Sequence, residues 1–168
     1  MSAPTMRADV TPERLRELFD YAPDTGILTW KVRPSMRVDA GDAAGYITSR
    51  GYVSVRIKGR EYKAHRIAWA HCNGVWPTHE IDHLNCKKDD NRIANLRDVT
   101  RAVNQQNERG PRRNNRLGVL GIRFAGRRYG AQIWIDGRIF RSKLFRTIGE
   151  AYNAYVELKR KHHEGCTL

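Results

Sequence analysis

The sequence predicts an α+β fold in two parts, and three observations carry that expectation. Short strand-like runs alternate with helical stretches along the whole chain, a Gly-Pro-Asn-rich basic segment interrupts them, and the charge is uneven on its two sides. The 168 residues suffice for two small domains, expected at 1–109 and 118–168 with a linker over 110–117. The formal charge is +13. Residues 1–109 hold 18 Lys and Arg against 14 Asp and Glu, whereas 110–168 hold 13 against 4, a net of +9. Such an excess points to a polyanion, either nucleic acid or an anionic membrane. Membrane is the weaker choice, because no apolar run approaches the roughly 20 residues of a spanning helix and the first 25 residues lack a signal-peptide core. The expected location is the cytoplasm. Cys72, Cys86 and Cys166 form no C-x-x-C pair, so no disulfide-linked partner is expected, and the oligomeric state stays open.

In the first part, Thr11-Pro12 followed by Leu15, Leu18 and Phe19 predicts a capped helix that ends near Asp20. ILTWKV (27–32) and YVSVRIK (52–58) have strand composition, and the second turns at Lys58-Gly59-Arg60 to return through EYKAH. HRIAWAHC (65–72) places Ile67, Ala68 and His71 at helical spacing before Asn73-Gly74 and Pro77 stop it. Ile81, and then Leu96 with Val99, predict two short strands around a polar loop. Thr100 caps a helix expected to run to residue 108.

This order, strand, loop, strand and helix, puts Asp82 and His83 where the first strand ends and lets Asn104 face them from the helix. A carboxylate and an amide carbonyl are hard oxygen donors, so the pair suits a single Mg²⁺ or Mn²⁺ that completes its shell with water and phosphate oxygens. His83 is then free for proton transfer. Zinc on Cys72, His79, His83 and Cys86 is the poorer alternative, since it would consume that base. His65 is open between a structural histidine and a phosphate contact. Asn107 is expected as an exposed helix residue.

Asp82-His83, Asn95 twelve positions after the histidine, Asn104 nine further on, and the D-N-R-x-x-N-L phrase between (Asp90 to Leu96) resemble the HNH nucleases, the ββα-metal group of phage and intron homing endonucleases. AHRIAWAHCNGVWP, leading into IDH, is similar to that family's lead-in. The resemblance covers residues 10–109. It implies that Asp82 and Asn104 ligate the metal, His83 is the general base, and Asn95 ties the loop that holds it. One departure is that asparagine stands at the last letter of the motif, leaving one carboxylate and one neutral ligand. The implied reaction is hydrolysis of double-stranded DNA to 5′-phosphate and 3′-hydroxyl ends.

In the second part, Arg112, Arg113 and Arg116 of the linker are expected on phosphates. GIRF, YGAQIWID and RIFRSKLF predict three strands, with Asp136-Gly137 as a hairpin turn. Thr147 and Glu150 form a capping box, after which Ile148, Ala151, Tyr152, Tyr155 and Leu158 make one apolar stripe. Ala131, Ile133 and Ile135 should meet that stripe, leaving Gln132 and Trp134 on the opposite face. A three-stranded sheet backed by one helix, with W/Y-x-A-x-I as YGAQI and the E-A-Y-x-A-Y helix, looks like the AP2 DNA-binding domain over residues 117–163. That resemblance implies Arg123, Gln132, Trp134 and Arg141 on the DNA face. The expected function is a divalent-metal-dependent homing-type endonuclease; the alternative is a sequence-specific DNA-binding regulator whose nuclease fold is inactive.

Overall fold

The computed structural model describes residues 10–107, 110–111, 114–163 and 165–167. Arg112 and Arg113 lie outside them. The chain divides into two compact units, Met1–Val99 and Thr100–Leu168, so the helix after Val99 is grouped with the second unit, ten residues ahead of the boundary expected at 109.

The first unit opens with α1 (Pro12–Leu18), where the Thr11 hydroxyl accepts from Arg14 N–H and proline occupies the first turn. The helix stops earlier than expected, because Phe19 begins a strand. β1 (Phe19–Ala22) pairs antiparallel with β2 (Ile27–Trp30), and the fully buried Phe19 ring lies 4.4 Å from the Trp30 ring. A burial partner outside the local segment decides that boundary. β3 (Tyr46–Ile47), too short to leave a periodic signal, joins β4 (Val53–Ile57) and β5 (Arg60–Lys63) in a sheet of order β3-β4-β5.

α2 (Ala64–Asn73) follows and ends at Gly74, in the left-handed conformation. Its Ile67 and Ala70 join Leu15, Leu18, Phe19, Leu28, Trp30, Val55 and Ile57 in the main core. Ala68, on the same helix, packs instead with Ile81 and Leu96. Those two residues belong to the hairpin of β6 (Glu80–His83) and β7 (Leu96–Val99). Before it, Asp98 accepts from Thr78 and His79 N–H, and Arg66 donates to the carbonyls of Pro77 and His79. These bonds pin the entry of β6.

The second unit begins with α3 (Arg101–Gln106), capped by the Thr100 hydroxyl on Val103 N–H. Asn107 is buried at its C-cap, not exposed, because Gly165 and Thr167 fold back on α3. Gly165 N–H donates to Gln106 Oε1, and the Thr167 hydroxyl bonds Asn107 Oδ1. β8 (Ile122–Ala125), β9 (Arg128–Ile135) and β10 (Arg138–Phe145) form an antiparallel sheet of order β10-β9-β8. α4 (Ile148–His162) starts with the complete Thr147–Glu150 capping box and covers one face, burying Ala151 and Tyr155 with Ile122, Ala131 and Ile133. Leu117, Val119 and Leu120, from the expected linker and the turn after it, pack on this core.

Gly26 links the fold to the loop between β6 and β7. At φ +75° it brings the β1–β2 turn onto that loop, and a Cβ there would stand 2.4 Å from Arg92 N and 2.5 Å from the Asn91 carbonyl carbon. Backbone atoms cannot swing aside as a flexible side chain does. Gly26→Ala is therefore expected to cost about 2–4 kcal/mol, from the left-handed strain and the overpacking together, read as a lowered urea midpoint of the first unit.

Candidate active site

The site is built on the β6–β7 hairpin. Residues 84–95 connect the two strands without a ladder of their own, so side chains hold them. Asn95 does most of this: its Oδ1 accepts from Asn85 N–H at 3.0 Å and its Nδ2 donates to Asp90 C=O at 2.8 Å, while its backbone carbonyl accepts from Leu84 N–H. One carboxamide thus spans the loop in both directions. Asp90 is a second node, paired through both carboxylate oxygens with Arg92 and bonded by Asn85 Nδ2 at 2.6 Å. These bonds, the Arg92 contacts foremost, hold the Asp90 carboxyl well below the usual carboxylate range. Tyr21, from β1, donates its hydroxyl to Asn91 C=O at 2.8 Å.

Asp82 and His83 are both buried at the end of β6. Cross-strand register sets Arg97 opposite Asp82, and its Nε and Nη2 reach Asp82 Oδ2 at 2.8 and 2.6 Å. Sequence reasoning passed over Arg97. The signal was there: once the loop ends are paired as His83 with Leu96, the next pair is Asp82 with Arg97.

The His83 ring stands among aromatic neighbours. His65, from α2, meets it edge-on with centroids 5.0 Å apart, and Tyr52 lies 6.0 Å away. Lys88 holds its ammonium 5.1 Å over the Tyr52 ring and donates to Arg50 C=O. Burial pushes the His83 pKa down, against the opposing pull of the Asn91 side chain and of the Asp82, Asp90 and Asp89 carboxylates. The ring is therefore neutral near pH 7, the form that accepts a proton. His65 is lowered further, to about 3, first by burial and then by repulsion from His83, Arg66 and Lys63. Its Nδ1 is buried and has no hydrogen-bond partner among the described residues.

Asp82, His83 and Asn95 thus come together within one hairpin. Asn104 lies in the second unit, on α3, where its N–H bonds Thr100 C=O and its carbonyl accepts from Asn107 N–H. Among the described residues, no group of three or more His, Cys, Asp or Glu side chains is arranged to hold one metal ion.

Arg116 is exposed on the turn before β8. In the sheet, Arg123 pairs with Gly130 and Arg141 with Gln132, so these two arginines share with Gln132 and Trp134 the face opposite α4. Gly130 makes room there: a Cβ on it would meet Leu144 Cδ2 at 2.9 Å and the Arg123 guanidinium at 3.5 Å. A register shift between Arg141 and Leu144 breaks the pairing of β10, and within it Ser142 Oγ accepts from Ala131 N–H at 2.9 Å.

Residues 62–106 match a family model described as HNH endonuclease. That stretch runs from β5 through α3 and contains Asp82, His83, Asn95 and Asn104. No curated protein and no solved structure gives a significant match to the chain. Among the described residues, no helix is long and apolar enough to cross a membrane.

The neutral His65 makes a prediction about stability. An unfolded histidine takes up a proton below pH 6.5, whereas folded His65 does so only near pH 3, so stability present above 6.5 is lost as pH falls through that window. Between pH 7 and 5 this one group should cost about 2 kcal/mol. The urea midpoints of His65→Gln and the wild type, compared at both pH values, should show the variant losing that much less.

Proposed function

From the HNH endonuclease match over residues 62–106, we propose that the chain is a divalent-metal-dependent DNA endonuclease of homing type, with a basic second unit that engages double-stranded DNA. The observation that carries this reading is the buried Asp82-His83 pair on β6, with the loop behind it closed by the Asn95 carboxamide. HNH nucleases use a divalent metal, and the donors here suit a hard cation. Asp82 offers a carboxylate already counter-charged by Arg97, and by resemblance Asn104 adds an amide oxygen. A donor set this small leaves most of the shell to water and phosphate oxygens, as Mg²⁺ or Mn²⁺ prefers.

His83 takes the proton of a water molecule aligned with the scissile phosphorus. The water oxygen bonds to phosphorus, the bond from phosphorus to the 3′ oxygen breaks, and that oxygen leaves to be protonated by solvent. The products are 5′-phosphate and 3′-hydroxyl ends. A bound divalent cation supplies positive charge against the non-bridging and departing oxygens. Asn95 does no chemistry; it holds the loop so that His83 keeps its aim. Arg123, Gln132, Trp134 and Arg141 form the face offered to DNA, and Arg116 adds a phosphate contact; Arg112 and Arg113, outside the described residues, are assigned to phosphates by sequence alone.

Two experiments test this. Supercoiled DNA with Mg²⁺ or Mn²⁺ should be nicked or linearised by the wild type and left intact in EDTA, and His83→Ala should lower the rate by about 10²- to 10⁴-fold with DNA affinity unchanged. Near wild-type turnover in that variant would overturn the assignment of the base, and wild-type binding without cleavage would favour the regulator. In the second experiment, Arg123→Ala combined with Arg141→Ala should flatten the slope of log affinity against log salt by about 2, because each arginine removed leaves one phosphate with its counterions. An unchanged slope would exclude the sheet face as the surface that meets DNA.

A further inference from the structure

A cavity of about 470 Å³ opens at the edge of β9 in the second unit, lined among others by Gln105, Asn114, Gln132, Trp134, Tyr155 and His163. It exists because β8 is short. The pairing of β8 with β9 begins at Ile122 with Ala131, and the last hydrogen bond on that side is Gln132 N–H to Gly121 C=O, so β9 runs on past its neighbour. His163, just beyond α4, closes the far end by bonding the Trp134 carbonyl through Nε2 at 3.3 Å. A carbonyl only accepts, so the ring donates there and keeps Nδ1 as an acceptor.

The lining has an unusual chemistry for so basic a protein. Among the described residues, no Lys, Arg, Asp or Glu contributes to it. Four carboxamides do; that of Asn115 is engaged with Val119 C=O and Leu117 N–H, whereas those of Gln105, Asn114 and Gln132 bond no other described residue. Beside them the Trp134 indole is 60% exposed. A carboxamide presents a donor and an acceptor side by side, the complement of a nucleobase edge, and an exposed indole gives the base a surface to stack on. The volume falls within the roughly 300–1,000 Å³ of small-molecule sites.

We propose that this cavity binds one unpaired nucleobase of a DNA strand, stacked on Trp134 and hydrogen-bonded by the carboxamides of Gln105, Asn114 and Gln132. The proposal rests on the nucleic-acid reading of the chain and narrows it. Gln132 and Trp134 would then act on a base released from the duplex, while Arg123 and Arg141 hold the backbone.

The test uses the full chain in EDTA, so that cleavage does not intervene. Binding of a 12-nucleotide single strand is compared by fluorescence anisotropy with binding of the same strand bearing abasic sites throughout. The base-bearing strand should bind about tenfold more tightly. Gln105→Ala and Asn114→Ala should each erase most of that difference while leaving abasic binding unchanged; both residues are exposed, so neither change disturbs the core. Millimolar deoxynucleoside monophosphates should compete for the base-bearing strand alone. Equal binding of the two strands, or an equal loss for both in the variants, would mean phosphate contact only and overturn the proposal, as would failure of either strand to bind. Cleavage of duplex DNA with Mg²⁺ is scored separately, so a protein without nuclease activity could still pass, and an active nuclease could still fail.

Discussion

The carboxamide of Asn95 is the interaction on which the hairpin depends. A dozen residues lie between the ends of β6 and β7, and such a segment cannot satisfy its backbone through a ladder. One side chain that accepts from Asn85 N–H and donates to Asp90 C=O closes the loop at two points. Asp90 then holds Arg92 and Asn85, and Tyr21 and Gly26 brace the neighbouring backbone from the β1–β2 hairpin. Residues some seventy positions apart thus share one task, which is to keep the end of β6 rigid.

That end carries two kinds of polar group. Asp82 is charged, buried and paired with Arg97. Losing the arginine would take a hydrogen-bonded counter-charge from a buried carboxylate, which is destabilising. His83 is buried too, but among rings: His65 meets it edge-on and Tyr52 lies beyond. Burial disfavours protonation of both imidazoles, and His83, its ring centroid 5.0 Å away, adds repulsion against a charged His65. Adjacent residues thus present a carboxylate paired with a guanidinium and a neutral imidazole, the two groups that the proposed hydrolysis would use for cation binding and proton abstraction.

The second unit divides its labour by face. α4 covers one side of the sheet, where Ala131 and Ile133 meet Ala151 and Tyr155. The other side carries Arg123, Gln132, Trp134 and Arg141, with Gly130 leaving space between Arg123 and Leu144. The irregular stretch of β10 at Ser142 and Lys143 falls where the sequence reads SKLF, and the Ser142 hydroxyl takes up the Ala131 N–H that regular pairing would have used. A net charge of +9 on residues 110–168 adds long-range attraction to any polyanion without deciding which surface receives it.

Local signals were sufficient for much of this. Thr11-Pro12, Thr100 and the Thr147–Glu150 box start helices because caps act within one turn, and the alternation of Val53, Val55 and Ile57 marks a strand because side chains repeat every two residues. The spacing of Asp82, His83 and Asn95 was legible for the same reason, since all three belong to one hairpin. What lay beyond the sequence depends on partners distant along the chain. The switch from α1 to β1 at Phe19 follows from burial against Trp30, and β3 exists only because β4 offers it an edge. Burial of Asn107 required Gly165 and Thr167 to fold back on α3. Arg97 against Asp82 and His65 against His83 arise from strand register and helix packing. A sequence states which groups are present and how far apart they are along the chain. Which of them meet, and how far from water, is decided by packing, because burial and pairing energies exist only once the elements have docked.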